Sequence, residues 1–325
     1  MTFHADAAAF TFLAAALLTA LLIYALLPTL QALKLGQPVR EVGPRTHQKK
    51  EGTPTMGGAA FVLVAALLSL WVGPRDGALY AVLLSMVGLG IIGGVDDYLK
   101  VTRRHSLGLR ARHKLFFQGL LGLFLAWMVR EGLGYASRVA IPLTGYTVDL
   151  GPYYYLLVIL MVLATANATN TTDGADGLLA GSFLPVLAIL GYYSYWTGEF
   201  SLAAFSIVLG GALVGFLFWN AYPARIMMGD LGSMALGGAL VAMALLTKTE
   251  LWLLLYGLVF VVETLSVILQ VFSFRAFGRR IFRMSPLHHH FELMGIPEPW
   301  VTAGFWAASA AVSAFSLWAL MRGGL

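Results

Sequence analysis

The sequence predicts an all-α polytopic membrane protein: a single integral membrane domain over residues 1–325, about ten transmembrane helices, and both termini outside. Three observations carry this. Hydrophobic residues make up 59% of the 325 and charged residues only 11%, where a soluble domain carries roughly a quarter charged. Apolar runs of about 17–25 residues, the length that crosses a bilayer as a helix, recur along the whole chain. No long polar segment is left in which to place a separate soluble domain.

The expected spans, in order, are 9–30, 57–73, 78–96, 115–130, 153–169, 178–196, 201–219, 231–247, 251–273 and 300–321. The first run lacks a basic leader and ends at Pro28 without a small-residue cleavage pattern, so it is a span rather than a signal peptide. Ten spans put both termini on one side. The loops 31–56, 97–114, 170–177, 220–230 and 274–299 then hold 16 of the 21 Lys and Arg residues, against Arg75, Arg130, Arg138, Lys248 and Arg322 on the other side. Basic residues favour cytosolic loops, so the first set is cytosolic and the termini face outward. Among the outward loops only 131–152 is long, and its alternating character around Thr144-Gly145 predicts a short β-hairpin. There are no cysteines, which excludes a disulfide framework and thiolate metal sites. No internal repeat or inverted halves of the kind common in transporters are visible.

The cytosolic set holds nearly every residue that chemistry needs. Gly43 to Gly58 combines turns, hydroxyls and cations, including Lys50 and Thr55, in a form that can cradle phosphate or lie against anionic lipid. Asp96-Asp97-Tyr98-Leu99-Lys100 closes the third span. Adjacent carboxylates at a membrane boundary need a compensating cation, which Lys100, Lys114 or Mg²⁺ can supply. Asn167 to Gly177 is dense in amides, carboxylates and glycines and holds no cation. A re-entrant turn alone does not call for that density, so a substrate or metal pocket is expected there. Asn220 to Ser233 ends in Asp230 at a helix start, which suits an N-cap or a metal ligand equally. His288-His289-His290 cannot all point one way and are no Zn²⁺ site by themselves, but they can bind or neutralise pyrophosphate. Glu263 and Gln270, seven residues apart inside a span, share one helix face as a functional or a structural polar pair. Gly88-Leu89-Gly90-Ile91-Ile92-Gly93 matches a dinucleotide fingerprint but joins no strand to a helix, and close helix packing explains it.

Five stretches in order, GTPTMGG (52–58), DDYLK (96–100), NATNTTDGADGL (167–178), NAYPARIMMGDLGS (220–233) and PLHHHFELMG (286–295), resemble the polyprenyl-phosphate N-acetylhexosamine-1-phosphate transferases. The PLHHHFE block is similar to the phospho-N-acetylmuramoyl-pentapeptide branch rather than the GlcNAc-1-phosphate branch. The resemblance implies Mg²⁺-dependent transfer of phospho-MurNAc-pentapeptide from UDP-MurNAc-pentapeptide to undecaprenyl phosphate, giving lipid I and UMP for the peptidoglycan cell wall. It implies a multi-pass enzyme of the bacterial inner membrane with its site on the cytosolic side. Its partners would be membrane lipids and a second copy in a homodimer, with no nucleic acid. It implies a catalytic set of Asp96, Asp97, Asp230, Lys114 and His289, with Asp230 as the Mg²⁺ ligand. It implies a substrate-binding set of Lys50, Thr55, Asn167, Asn170, Asp173, Asp176, Asn220, Met227, Gly229, Gln270, His288 and His290. Met227 departs from the pattern: the family often has Phe there, able to stack on uracil.

Direct in-line attack by the lipid phosphate is the expected chemistry, with a covalent phospho-enzyme as the competing scheme. The rival readings are the UDP-GlcNAc branch and a transporter of an anionic lipid or nucleotide sugar. The acidic and amide motifs sit at span ends rather than mid-membrane, which disfavours the transporter.

Overall fold

The computed structural model describes residues 5–32, 52–103 and 108–323. Lys50, most of the loop before Gly52, and residues 104–107 lie outside the described residues.

The helices are α1 (Ala5–Ala32), α2 (Gly58–Val72), α3 (Gly77–Arg103), α4 (Ala111–Trp127, prolonged by a π turn Met128–Gly132), α5 (Tyr153–Thr172), α6 (Leu178–Trp196), α7 (Phe200–Asn220), α8 (Gly229–Leu246), α9 (Leu253–Tyr256), α10 (Leu258–Phe277), α11 (Leu287–Leu293) and α12 (Glu298–Gly323). Two short strands, β1 (Arg138–Ala140) and β2 (Thr147–Asp149), pair antiparallel with Val139 opposite Val148. Among the described residues nine helices are long and apolar enough to cross a membrane, and α2, at 15 residues, is a shorter apolar helix. The chain is an all-α multi-pass membrane protein.

The helix α8 is the axis of the bundle, with 94% of its apolar window buried against 17% for α1. Its small residues allow this, because without a hydrophobic drive between helices close backbone approach is what packs a membrane bundle. A Cβ added at Gly237 would lie 2.8 Å from Ala166 Cα on α5, and one at Gly238 would fall on the Ser85 carbonyl of α3. The Ser85 hydroxyl donates to the Gly238 carbonyl at 2.8 Å across the same contact. Gly90 and Gly93 of the discarded fingerprint lie against Ala235 and the Asp230 backbone, so the glycines serve helix packing.

Three boundaries differ from the sequence expectation. The run 153–169 continues as helix to Thr172, and Thr165, Thr169 and Thr172 each satisfy their hydroxyl on a carbonyl at i−4, all at 2.8 Å. The run 78–96 likewise continues to Arg103, placing Asp96 and Lys100 on one helix face. The run 251–273 is broken at Gly257 into α9 and α10. Hydropathy does not register such a break because both pieces are apolar.

Among the described residues, the hairpin and the acidic motifs lie in two separate groups of contacts. In the first, Lys248 donates to the Ala136 carbonyl at 2.9 Å beside the hairpin, pairs with Glu250, and lies over the Tyr154 ring. Burial pushes the Glu250 carboxyl above the ordinary range, with Lys248 opposing the shift. The second gathers the acidic motifs.

Candidate active site

Asp96 and Asp97 on α3 meet Asp230 at the first turn of α8. The approach depends on Gly93, one turn before Asp97, where a side chain would overlap the Asp230 carbonyl. Lys100 Nζ lies 2.6 Å from Asp96 Oδ2, 3.8 Å from Asp97 Oδ1 and 3.0 Å from Asp230 Oδ2. Lys114, on the first turn of α4, lies 2.7 Å from the same Asp230 oxygen and 3.8 Å from Asp96 Oδ2. Two ammonium groups thus face three carboxylates, which leaves a formal negative charge at a largely buried site.

The two adjacent aspartates are held differently. Asp96 Oδ1 accepts the Leu109 N–H at 2.6 Å. Asp97 Oδ2 accepts the Leu231 N–H at 3.0 Å, so Asp97 caps α8 from another helix. Its Oδ1 is buried and accepts no hydrogen bond. Gly229 enters α8 at φ +77°, and a Cβ there would sit 2.6 Å from Asp97 Oδ2 and 2.9 Å from the buried Thr55 hydroxyl. Thr55, Gly229 and Asp97 are therefore brought together. Met227 pairs its N–H with the Pro54 carbonyl at 2.8 Å, fastening the 220–228 loop to the Thr55 segment.

The donors suit a hard cation, since every acidic group present is a carboxylate. Among the described residues no group of three or more His, Asp or Glu side chains is placed to hold a metal ion unaided. Mg²⁺ needs less, one or two carboxylates plus substrate phosphates, and Asp230 with its neighbours meets that requirement.

Other expected residues divide between pocket and scaffold. Asn170 faces the site end from α5 and donates to Ser233 at 3.0 Å. Asn167 is tied to Gln118 at 3.0 Å and to the Leu163 carbonyl, joining α5 to α4. Asp173 caps the end of α5 and is only half-buried. Asp176 is 2% exposed and accepts the Ala224 N–H at 2.8 Å. Asn220 accepts the Gly177 N–H at 3.1 Å and donates to the Ile226 carbonyl at 2.9 Å, so both ends of its amide are engaged in the chain. Gln270 accepts the N–H groups of Ile281 and Phe282 at 3.0 Å and donates to the Phe282 carbonyl. His288 is fully buried, its Nδ1 2.9 Å from Glu263 Oε2 and its N–H donating to Glu263 Oε1. The polar partner of Glu263 is thus His288, and Gln270 serves the 281–282 backbone instead. His289 lies 3.0 Å from Glu292, and His290 accepts the Arg283 N–H at 3.1 Å.

A model of glycosyl transferase family 4 matches residues 79–248, and signature 1 of the phospho-N-acetylmuramoyl-pentapeptide-transferases matches residues 50–62. A protein of that name from Heliobacterium modesticaldum is 50% identical over 296 residues, covering 89% of this chain and 90% of its own. Those of Shouchella clausii and Bacillus subtilis are 48% and 42% identical, covering 91% and 95% of this chain and 91% and 96% of theirs. The chain belongs to the phospho-N-acetylmuramoyl-pentapeptide-transferase family.

The transferase, a phosphoglycosyl transferase by that membership, carries site residues that sequence reasoning passed over. Ser233 closes the 220–233 stretch without being singled out, because a serine in an apolar helix carries no signal of its own. Lys100 was visible only as a counter-charge, and its central place between three carboxylates needs the fold. Glu298, Thr302 and Trp306, spaced by four on α12, do leave a mark: a polar stripe on an otherwise apolar span.

Proposed function

We propose that the transferase moves phospho-MurNAc-pentapeptide from UDP-MurNAc-pentapeptide to undecaprenyl phosphate, releasing UMP and forming lipid I for peptidoglycan synthesis. The observation that carries this is the meeting of Asp96, Asp97, Lys100, Lys114 and Asp230 at one end of the bundle. By the charge bias of the loops that end is cytosolic and the termini are outward, in the bacterial inner membrane. The whole chain acts as one catalytic domain.

The chemical task is to bring two anions together and break a pyrophosphate bond. Asp230, with Asp96 or Asp97 beside it, would hold Mg²⁺, which supplies neutralisation of the pyrophosphate and of the departing UMP. Lys100 and Lys114 stand between the carboxylates and lower the cost of admitting further anions. The lipid phosphate oxygen attacks the β-phosphorus in line; the bond from that phosphorus to the bridging oxygen breaks, and its electron pair leaves with UMP. That nucleophile is already anionic near neutral pH and needs little general-base help. Asp96 or Asp97 would take the residual proton of that phosphate. Asp173 and Asn170 serve the nucleotide, and His289 and His290 the pyrophosphate.

The test is to incubate the purified protein with Mg²⁺, polyprenyl phosphate and either UDP-MurNAc-pentapeptide or UDP-GlcNAc, and to measure UMP. UMP from the first donor alone is expected. Release from UDP-GlcNAc would place the chain in the other branch, and stoichiometric UMP without lipid phosphate would replace direct attack by a covalent intermediate.

A further inference from the structure

We propose that the first turns of α12 form a brace that sets the position of the acidic turn 173–177, with Glu298 as its positioning residue. This deepens the proposed donor site and rests on that reading. The turn joining α5 to α6 carries Asp173, yet little of its backbone bonding at residues 176 and 177 is its own. Glu298 Oε1 accepts the Asp176 N–H at 2.8 Å. The Thr302 hydroxyl donates to the Asp176 carbonyl at 3.3 Å, and the Trp306 indole N–H to the Gly177 carbonyl at 3.0 Å. Buried backbone groups must find partners, and here the partners lie more than 120 residues away in sequence.

Glu298, Thr302 and Trp306 stand at i, i+4 and i+8, on one face of α12. Glu298 is 7% exposed and Thr302 5% exposed, so these bonds are shielded from water. Gly177 holds φ +70°, and the Trp306 indole fills the space that a side chain at Gly181 would need. From the other side the His288 imidazole lies against Gly174. The turn is thus gripped between α11 and α12, and only four residues, 294–297, separate the two helices. Glu298 bonds the backbone of the turn. It acts through the Asp176 amide on the placement of Asp173.

The test uses the full-length protein in detergent. In Glu298→Ala, hydrogen exchange of the Asp176 amide should accelerate by about tenfold or more, and the KM for UDP-MurNAc-pentapeptide should rise by a similar factor. The KM for polyprenyl phosphate should stay within about twofold. Glu298→Gln keeps the accepting oxygen and should restore both readouts. Unchanged exchange in Glu298→Ala would overturn the brace, as would parallel changes in both KM values with a lowered Tm, which mark a plain folding contact. If Glu298→Ala does not fold, Thr302→Val removes one bond at constant volume and is read the same way, with an expected few-fold rise. If the parent protein makes no UMP, the proposed reaction fails, while the exchange experiment still decides the brace.

Discussion

Gly93→Ala should damage turnover far more than its size suggests. A Cβ at Gly93 would lie 2.8 Å from Leu231 N and closer still to the Asp230 carbonyl, where ordinary contact begins at 3.4 Å. Both obstacles are backbone, at the start of the most buried helix, so no side chain can swing away. Relief requires α3 to back off from α8 by roughly 1 Å, carrying Asp96 and Asp97 away from Asp230. Misplacement of that size costs on the order of 10²-fold in rate, while overpacking of this kind costs about 1–3 kcal/mol in stability. The control is the next residue. A Cβ at Gly94 would meet the Leu231 side chain at 3.0 Å, and that side chain can change rotamer. UMP release under saturating substrates, with Tm measured alongside, should show Gly93→Ala down about a hundredfold and Gly94→Ala within about threefold of the parent. If Gly93→Ala keeps activity within threefold of the parent, the close approach of α3 to α8 does not set the geometry of the site.

Asp230→Ala should abolish turnover at every Mg²⁺ concentration with little change in Tm, and chelation of the parent should stop the reaction until Mg²⁺ is returned; near-normal activity in the variant would remove Asp230 from metal binding. Asp97→Asn keeps an oxygen for the Leu231 N–H and should lose activity without losing stability, whereas Asp97→Ala should also lower stability by about 0.5–2 kcal/mol through the lost cap; equal Tm values for the two would discount the cap. Asp173→Ala should mainly weaken nucleotide binding, with a smaller fall in Tm than Asp176→Ala. Asp176→Ala should instead lower stability by about 1–3 kcal/mol by orphaning the Ala224 N–H; the opposite pattern in calorimetry and thermal melts would exchange their roles.

Much of the fold was legible because a bilayer imposes one length and one polarity on every element that crosses it. Nine of the ten apolar runs each correspond to one helix, including the short run that became α2, while the run 251–273 is split at Gly257. Helix ends were less legible. The polar run after Thr165 looks like loop, but it stays helical, with its threonine hydroxyls bonded back onto their own helix and Asn167 and Asn170 on a helical face. At the site, the cost of carboxylates beside a membrane singles out Asp96 and Asp97, whereas Asp230 reads equally as an N-cap or a metal ligand and takes its role from the family resemblance. Composition did not separate Asp173 from Asp176, or His288 from His289, since the same side chain serves a pocket or a scaffold equally well. Burial separates them: Asp176 and His288 are enclosed, against the Ala224 N–H and Glu263, while Asp173 and His289 are half-buried.

The central place of α8 also bears on how the enzyme comes into being. Asp97 finds its cap at Leu231, 134 residues further along the chain, and Lys114 finds Asp230 at a separation of 116. Asp96 and Lys100 pair within α3 itself, but Asp97 has no Leu231 N–H to cap, and Lys114 no Asp230 carboxylate, until α8 has been made. The full cluster of five charged groups needs α8, so the helix that fills the middle of the bundle also brings the last carboxylate to it.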